Sequence, residues 1–201
     1  ELHVCDRRQR QMCIRDKQNT LRKVLKLITN KIQIQYNEKV LFYGIPEISG
    51  KVFRFNNNLP FSFTEYPKHS IPLSFSLNST PSFSLVWRSD RILDSFARIG
   101  QEKFDFHKQE NPENVLIHPL GIVINFGNNH STNAGLLDDN ALSKINYEMT
   151  LTNQEIENIL HSKSETFDFY EIKLLLKIAQ LFIKNNLSLI HISEPTRLDV
   201  I

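Results

Sequence analysis

Residues 120–137 read LGIVINFGNNHSTNAGLL. Gly121 to Phe126 is apolar and β-branched over a strand-length run. Gly127, Asn128, Asn129, His130 and Ser131 have the composition of a tight turn. A short helix is then expected near Thr132 to Leu137. Just upstream, Val115, Leu116 and Ile117 form a second apolar run, and Pro119 separates the two. Two short strands that lead into helical sequence point to an α+β fold: a small mixed sheet with flanking helices, in a single domain.

The pattern extends in both directions. Leu21, Val24, Leu25, Ile28 and Ile32 repeat at helical spacing from Thr20, with Lys and Arg on the other face. Val40 to Tyr43 and Lys51 to Phe55 read as short strands, punctuated by Gly44, Pro46 and Gly50. Residues 56–81 lack periodicity and read as a long connection with extended pieces near Leu73 to Leu77. Ser89 or Asp90 caps a helix carrying Ile92, Leu93, Phe96 and Ile99, and Gly100 is expected to stop it. Ile145 to Met149 reads as a strand. Thr152-Asn153-Gln154-Glu155 is a capping box that opens a helix to about His161. Asp168 or Thr166 opens a last helix, with Ile172, Leu175, Ile178, Leu181 and Phe182 expected on its buried face.

The two ends of the chain read differently. RRQRQMCIRD at residues 7–16 and LSLIHISEPTR at residues 187–197 back-translate into DNA with a reverse-complementary core, AGATGTGTATAAGAGAC against GTCTCTTATACACATCT. Inverted repeats of this kind flank transposase-tagmented library fragments. Residues 1–16 and 187–201 are therefore expected to be translated adapter, and such segments are set aside before fold reasoning. Lys17 departs from the adapter, which would continue with Ser or Arg after Asp16, as a base error at the junction would explain. Residues 17–186 are expected to be one domain, cut as a metagenomic window from a longer gene.

Both cysteines, Cys5 and Cys13, lie in the N-terminal end segment, so residues 17–186 offer no disulfide framework and no thiolate metal site. A cysteine-free segment fits a cytoplasmic protein. The formal net charge is +2. That gives no electrostatic footprint for nucleic acid or an anionic membrane. No apolar run approaches the length of a membrane span. No Walker loop, dinucleotide fingerprint or Ser-centred nucleophile elbow is present, and nothing in the pattern specifies a cofactor.

The turn at 127–131 carries the candidate chemistry. A strand-to-helix turn exposes orphan amide donors, where phosphate groups bind readily. Gly127 permits close approach of a ligand. Asn128 and Asn129 tolerate left-handed geometry. His130 can donate to a phosphate or work as a general acid or base, and Ser131 can cap the helix or bond the ligand. Glu110 or Glu113 is the candidate acidic partner of His130. The expected partner is a nucleotide or another phosphate-bearing ligand.

Residues 114–135, NVLIHPLGIVINFGNNHSTNAG, resemble the core of an uncharacterised bacterial and phage-associated family of unknown function. Its signature runs Asp-x-Asn-His, a strand, Leu-Pro-x-Gly-Ile, a second strand, Gly-Asn-His-Ser and Ala-Gly-Ile. Leu120, Gly121, Ile122, Asn129, His130, Ser131, Ala134 and Gly135 carry the match. The region from Ile71 to Gly100, with its Asp90-Arg91 pair, looks similar to the same family. This chain has Glu110-Asn111-Pro112-Glu113-Asn114 where the family has Asp-x-Asn-His. More distantly, the turn is similar to the Gly-x-His-Arg box of the ParB/sulfiredoxin-like superfamily, which handles nucleotide phosphates. Ser131 stands in place of that Arg, removing a bidentate phosphate clamp. The resemblance implies a mobile-element protein that binds a phosphate-bearing ligand. The competing expectations are a non-enzymatic interaction module with a structural turn, and a degenerate ParB-like nuclease.

Other positions are more ordinary. His69, His107, His118 and His161 show no metal-ligand spacing, and no metal site is expected. His118 and His130 would converge only if the pairing of their strands brought them together. Asp138-Asp139 reads as a solvated helix end. Trp87 and the Phe53, Phe55, Phe61, Phe63, Phe75 and Phe83 set read as core and not as a base-stacking surface.

Overall fold

The computed structural model describes residues 2–43, 64–65, 73–84, 86, 88, 89–101, 114–125, 127, 129–138, 141–161 and 170–187. In chain order the elements are α1 (Leu2–Tyr43), β1 (Thr64–Glu65), β2 (Ser74–Ser76), β3 (Ser82–Ser84), α2 (Ser89–Gln101), β4 (Asn114–His118), β5 (Ile122–Asn125), α3 (Asn129–Gly135), β6 (Leu142–Lys144), β7 (Tyr147–Thr150), α4 (Asn153–His161) and α5 (Tyr170–Lys184). The architecture is α+β. A five-stranded mixed sheet has the order β1-β7-β4-β5-β3, and a two-stranded ribbon pairs β2 with β6.

The hairpin of β4 and β5 is the centre of the sheet. Val115 lies opposite Ile124, and Ile117 opposite Ile122. Gly121 closes the turn at φ 64°, a left-handed geometry that glycine adopts without steric cost, and its N–H donates to the Ile117 carbonyl at 2.9 Å. β7 joins β4 in parallel, and β3 joins β5 in parallel. Successive strand residues point to opposite faces. Val115, Ile117, Ile122 and Ile124 therefore pack with Met149 on one face, under α1, α4 and α5. Leu116 and Val123 pack on the other, with Phe75, Leu77, Ala141 and Ile145 around the β2–β6 ribbon. Both faces are covered, which is why these strands read as unbroken apolar runs and do not alternate with polar residues.

The helix expected from Thr20 to Ile32 is the centre of the longer α1. Leu25, Ile28, Ile32, Tyr36 and Val40 are buried in sequence along it. That i, i+4 continuation corrects the strand expected at Val40 to Tyr43. Val40 closes the stripe on a small cluster with Val86 and Ile92, and this packing outweighs the β propensity of the local residues. Residues 51–55, the other early strand, lie outside the described residues.

β3 is an edge strand, and α1 covers its open edge. Gln33, 6% exposed, accepts the Ser84 N–H at Oε1 (2.6 Å) and donates from Nε2 to the Ser84 carbonyl (3.1 Å). The side-chain amide thus completes the strand ladder on the side where no strand among the described residues pairs with β3. Lys26 does similar work on the turn before β3, donating to the Thr80 carbonyl at 2.9 Å. Burial pushes its ammonium down to about 8.

The capping box forms as expected. The Thr152 N–H donates to Glu155 Oε2 (2.7 Å), and the Glu155 N–H donates to Thr152 Oγ1 (3.3 Å). On α5, Ile172, Leu175 and Phe182 are buried as expected, joined by Leu176 and Ala179, whereas Leu181 is 57% exposed. Glu171 ties this helix to α1 through Lys31 Nζ (2.6 Å) and Gln35 Nε2 (3.3 Å). Among the described residues, no helix is long and apolar enough to cross a membrane.

Candidate functional site

The strand-to-helix element at 120–137 is present, with one correction. Helix α3 begins at Asn129 and not near Thr132. Asn129, His130 and Ser131 therefore form its first turn, so neither Asn129 nor Ser131 is a residue ahead of the helix. The early start is fixed from β3. Ser84, fully buried, places its Oγ 2.6 Å from the Asn129 carbonyl and 3.0 Å from Asn125 Oδ1. Asn125 donates to Asn114 Oδ1 at 2.8 Å, and Asn114 donates to Ser143 Oγ at 2.9 Å. Asn37 on α1 donates to Asn133 Oδ1 at 3.2 Å. This buried amide and hydroxyl network holds the turn to the strands below it. Gly127 is half-buried. Asn128, Glu110 and Glu113 lie outside the described residues.

α2 packs against α3. Arg91, Asp94, Ser95 and Arg98 recur at positions three, four and seven apart, which places them on one helical face. They and Ala97 line a cavity of about 680 Å³ together with Asn129, His130 and Ser131. Ser95, Asn129 and His130 are its buried part, and Arg91, Asp94, Ala97 and Arg98 its exposed part. The volume lies within the range of ordinary small-molecule pockets, about 300–1,000 Å³. α3 is only seven residues long, so positive charge at the cavity comes chiefly from the two guanidinium groups.

His130 is 6% exposed, and its Nε2 accepts the Arg88 N–H at 3.2 Å. That bond assigns the ring proton to Nδ1. Burial first, and then the charge of Arg91, push the imidazole down to about 4. The ring is neutral at pH 7. Its basic nitrogen is engaged by a backbone donor, so the ring enters any role here as a neutral, held side chain. Arg88 itself forms a two-oxygen pair with Asp90 at the exposed start of α2.

The remaining candidates do not join this site. The strands bearing His118 and leading to His130 do pair, but antiparallel, so the two histidines stand at opposite ends of the hairpin. His118 Nε2 instead lies 3.6 Å from Glu148 Oε2 on β7. Asp138 follows α3, and Asp139 lies outside the described residues, as do His69, His107, Trp87, Phe53, Phe55, Phe61 and Phe63. Phe75 and Phe83 are core residues. Among the described residues, no three His, Cys, Asp or Glu side chains gather as a metal site.

The sequence marked Arg91 only within its Asp90-Arg91 pair and gave no sign of Asp94, Ser95 or Arg98 as site residues. Their helix was legible, but its charged face looks like any solvated face until α3 is packed beside it. The chain belongs to DUF6710, a family of unknown function, whose profile matches residues 3–171. No curated protein and no solved structure matches the chain.

Proposed function

We propose that this member of the DUF6710 family binds a phosphate-bearing ligand in the cavity between α2 and α3. The observation that supports it is the shared cavity itself: Arg91 and Arg98 meet the Asn129, His130 and Ser131 turn across about 680 Å³. Arginine recognises phosphate oxygens through paired, charge-assisted hydrogen bonds. The side chain at position 131 is an uncharged hydroxyl, and α2 supplies the guanidinium groups in its place. His130 is a neutral wall of this site, held by the Arg88 backbone, and the reading is one of binding and not of acid–base catalysis. A cytoplasmic setting belongs to the same reading and is supported by the absence of cysteine between residues 17 and 186.

A thermal-shift titration of the full chain with inorganic phosphate and with methyl phosphate tests this. A ligand present at about a hundred times its dissociation constant stabilises the folded state by roughly 2.7 kcal/mol, which raises the melting temperature by several degrees. The double variant Arg91→Gln, Arg98→Gln is expected to melt normally and to lose the shift. A cooperatively melting wild type with no shift in either ligand overturns the proposal and favours an interaction module with a structural turn.

A further inference from the structure

The cavity contains one group that a bare phosphate cannot use. Asp94 stands three residues after Arg91 and four before Arg98, and all three line the same space. A carboxylate repels a phosphate placed beside it, but it accepts hydrogen bonds from hydroxyl groups. Ser95, Asn129 and Ser131 add further groups able to donate and accept. The volume of about 680 Å³ is that of a site for a whole small molecule, far larger than one phosphate group. A ligand that suits every group present carries an anion and, a few bonds away, hydroxyl donors.

We infer that the cavity takes a polyhydroxylated phosphate ester, of the sugar-phosphate or nucleotide kind, with its phosphate at the arginines and its hydroxyls on Asp94. This rests on the phosphate reading above. The competing role for Asp94 is to neutralise its arginine neighbours, and the two roles give opposite results on substitution. Removing a merely neutralising charge strengthens the binding of every anion. Removing a hydroxyl acceptor weakens only ligands that bear hydroxyls.

Calorimetric titration of the full chain with inorganic phosphate, methyl phosphate and ribose 5-phosphate separates them. Ribose 5-phosphate is expected to bind about tenfold tighter than methyl phosphate, the worth of a hydrogen bond to a charged group. In Asp94→Asn that preference is expected to fall to about twofold or less, with methyl phosphate bound as well as before or better. Asp94 is exposed, so the variant is expected to melt like wild type, which a thermal scan checks. Equal binding of the two esters by wild type, or a preference that survives in Asp94→Asn, overturns this inference and leaves the phosphate reading standing. No binding of any of the three probes to a cooperatively melting chain overturns both. Adenosine 5′-monophosphate bound no tighter than ribose 5-phosphate assigns the recognition to the sugar phosphate alone, and tighter binding extends the same inference to the base.

Discussion

At the scale of single residues, His130 is the most consequential side chain. Its imidazole is buried, it accepts a backbone N–H, and burial holds its pKa near 4. In the unfolded chain an imidazole titrates near 6.5. Between these values the unfolded state binds more protons than the folded one, so stability falls as pH drops through that window. The upper bound is about 1.4 kcal/mol per pH unit. His130→Gln keeps an acceptor for the Arg88 N–H and removes the titration. The variant is expected to lose less stability than wild type between pH 6.5 and 4.5, read from denaturant midpoints at each pH. Parallel pH profiles would show that the ring is not the acid-sensitive group. A bound phosphate next to the ring favours its charged form. Saturation with a phosphate ester is therefore expected to move the His130 titration upward, followed through its imidazole NMR signals. A strand-to-helix passage at Gly127 to Ser131 was legible from its residue types, but the start of the helix at Asn129 was not. Nor were the tautomer and the depressed pKa, since the pKa is set chiefly by burial, with the charge of Arg91 adding to it, and the tautomer by the Arg88 N–H, about forty residues away in sequence.

At the scale of elements, a side chain of α1 covers the edge of β3, the outer strand among the described residues. Gln33→Ala leaves the buried Ser84 N–H without its acceptor and takes one of two donors from the Ser84 carbonyl, which keeps the Val86 N–H at 3.2 Å. An unsatisfied buried group costs about 1–3 kcal/mol. The variant is expected to melt at a clearly lower temperature and to speed amide exchange at Ser84, and normal protection of that amide would contradict the edge-cover argument. The capping box gives a smaller expectation. Thr152→Ala removes one capping oxygen, costing about 1 kcal/mol, or roughly 2–4 °C in a chain of this size, while Thr152→Ser is expected to retain the wild-type value. The contrast between the two elements explains what the sequence revealed. The capping box and the β4–β5 hairpin are local patterns, complete within a few residues. The strand expected at Val40 to Tyr43 failed because Val40 follows Ile32 and Tyr36 on one helical stripe, and only the cluster with Val86 and Ile92 discloses that. The charged face of α2 failed for the same reason, having no signature until α3 lies against it.

At the scale of the whole molecule, the question is which part of the chain is needed to hold it together. The main core joins Leu25, Ile28, Ile32 and Tyr36 of α1 to Ile172, Leu175, Leu176, Ala179 and Phe182 of α5 across the sheet, with Leu21 packed at its margin. On the C-terminal side, α5 closes with a Schellman motif: Asn186 has φ 50°, the Leu187 N–H donates to the Phe182 carbonyl at 2.8 Å, and the Asn186 N–H donates to the Ile183 carbonyl at 3.1 Å. Leu187 therefore completes the helix stop. At the other end α1 is continuous from Leu2, and the family match begins at residue 3. The adapter reading of residues 1–16 predicts that this first stretch of helix contributes little to stability. A chain shortened to residues 17–187 keeps every core residue named above and the whole Schellman motif. That reading requires residues 1–16 to add no more than a surface substitution does, about 0.5 kcal/mol, which is roughly 1–2 °C here. The shortened chain is expected to melt within that margin of the full one, with the same cooperativity. A loss several times larger, traced by separate deletions to residues 1–16, would make that stretch part of the folded domain and would overturn the adapter reading at that end.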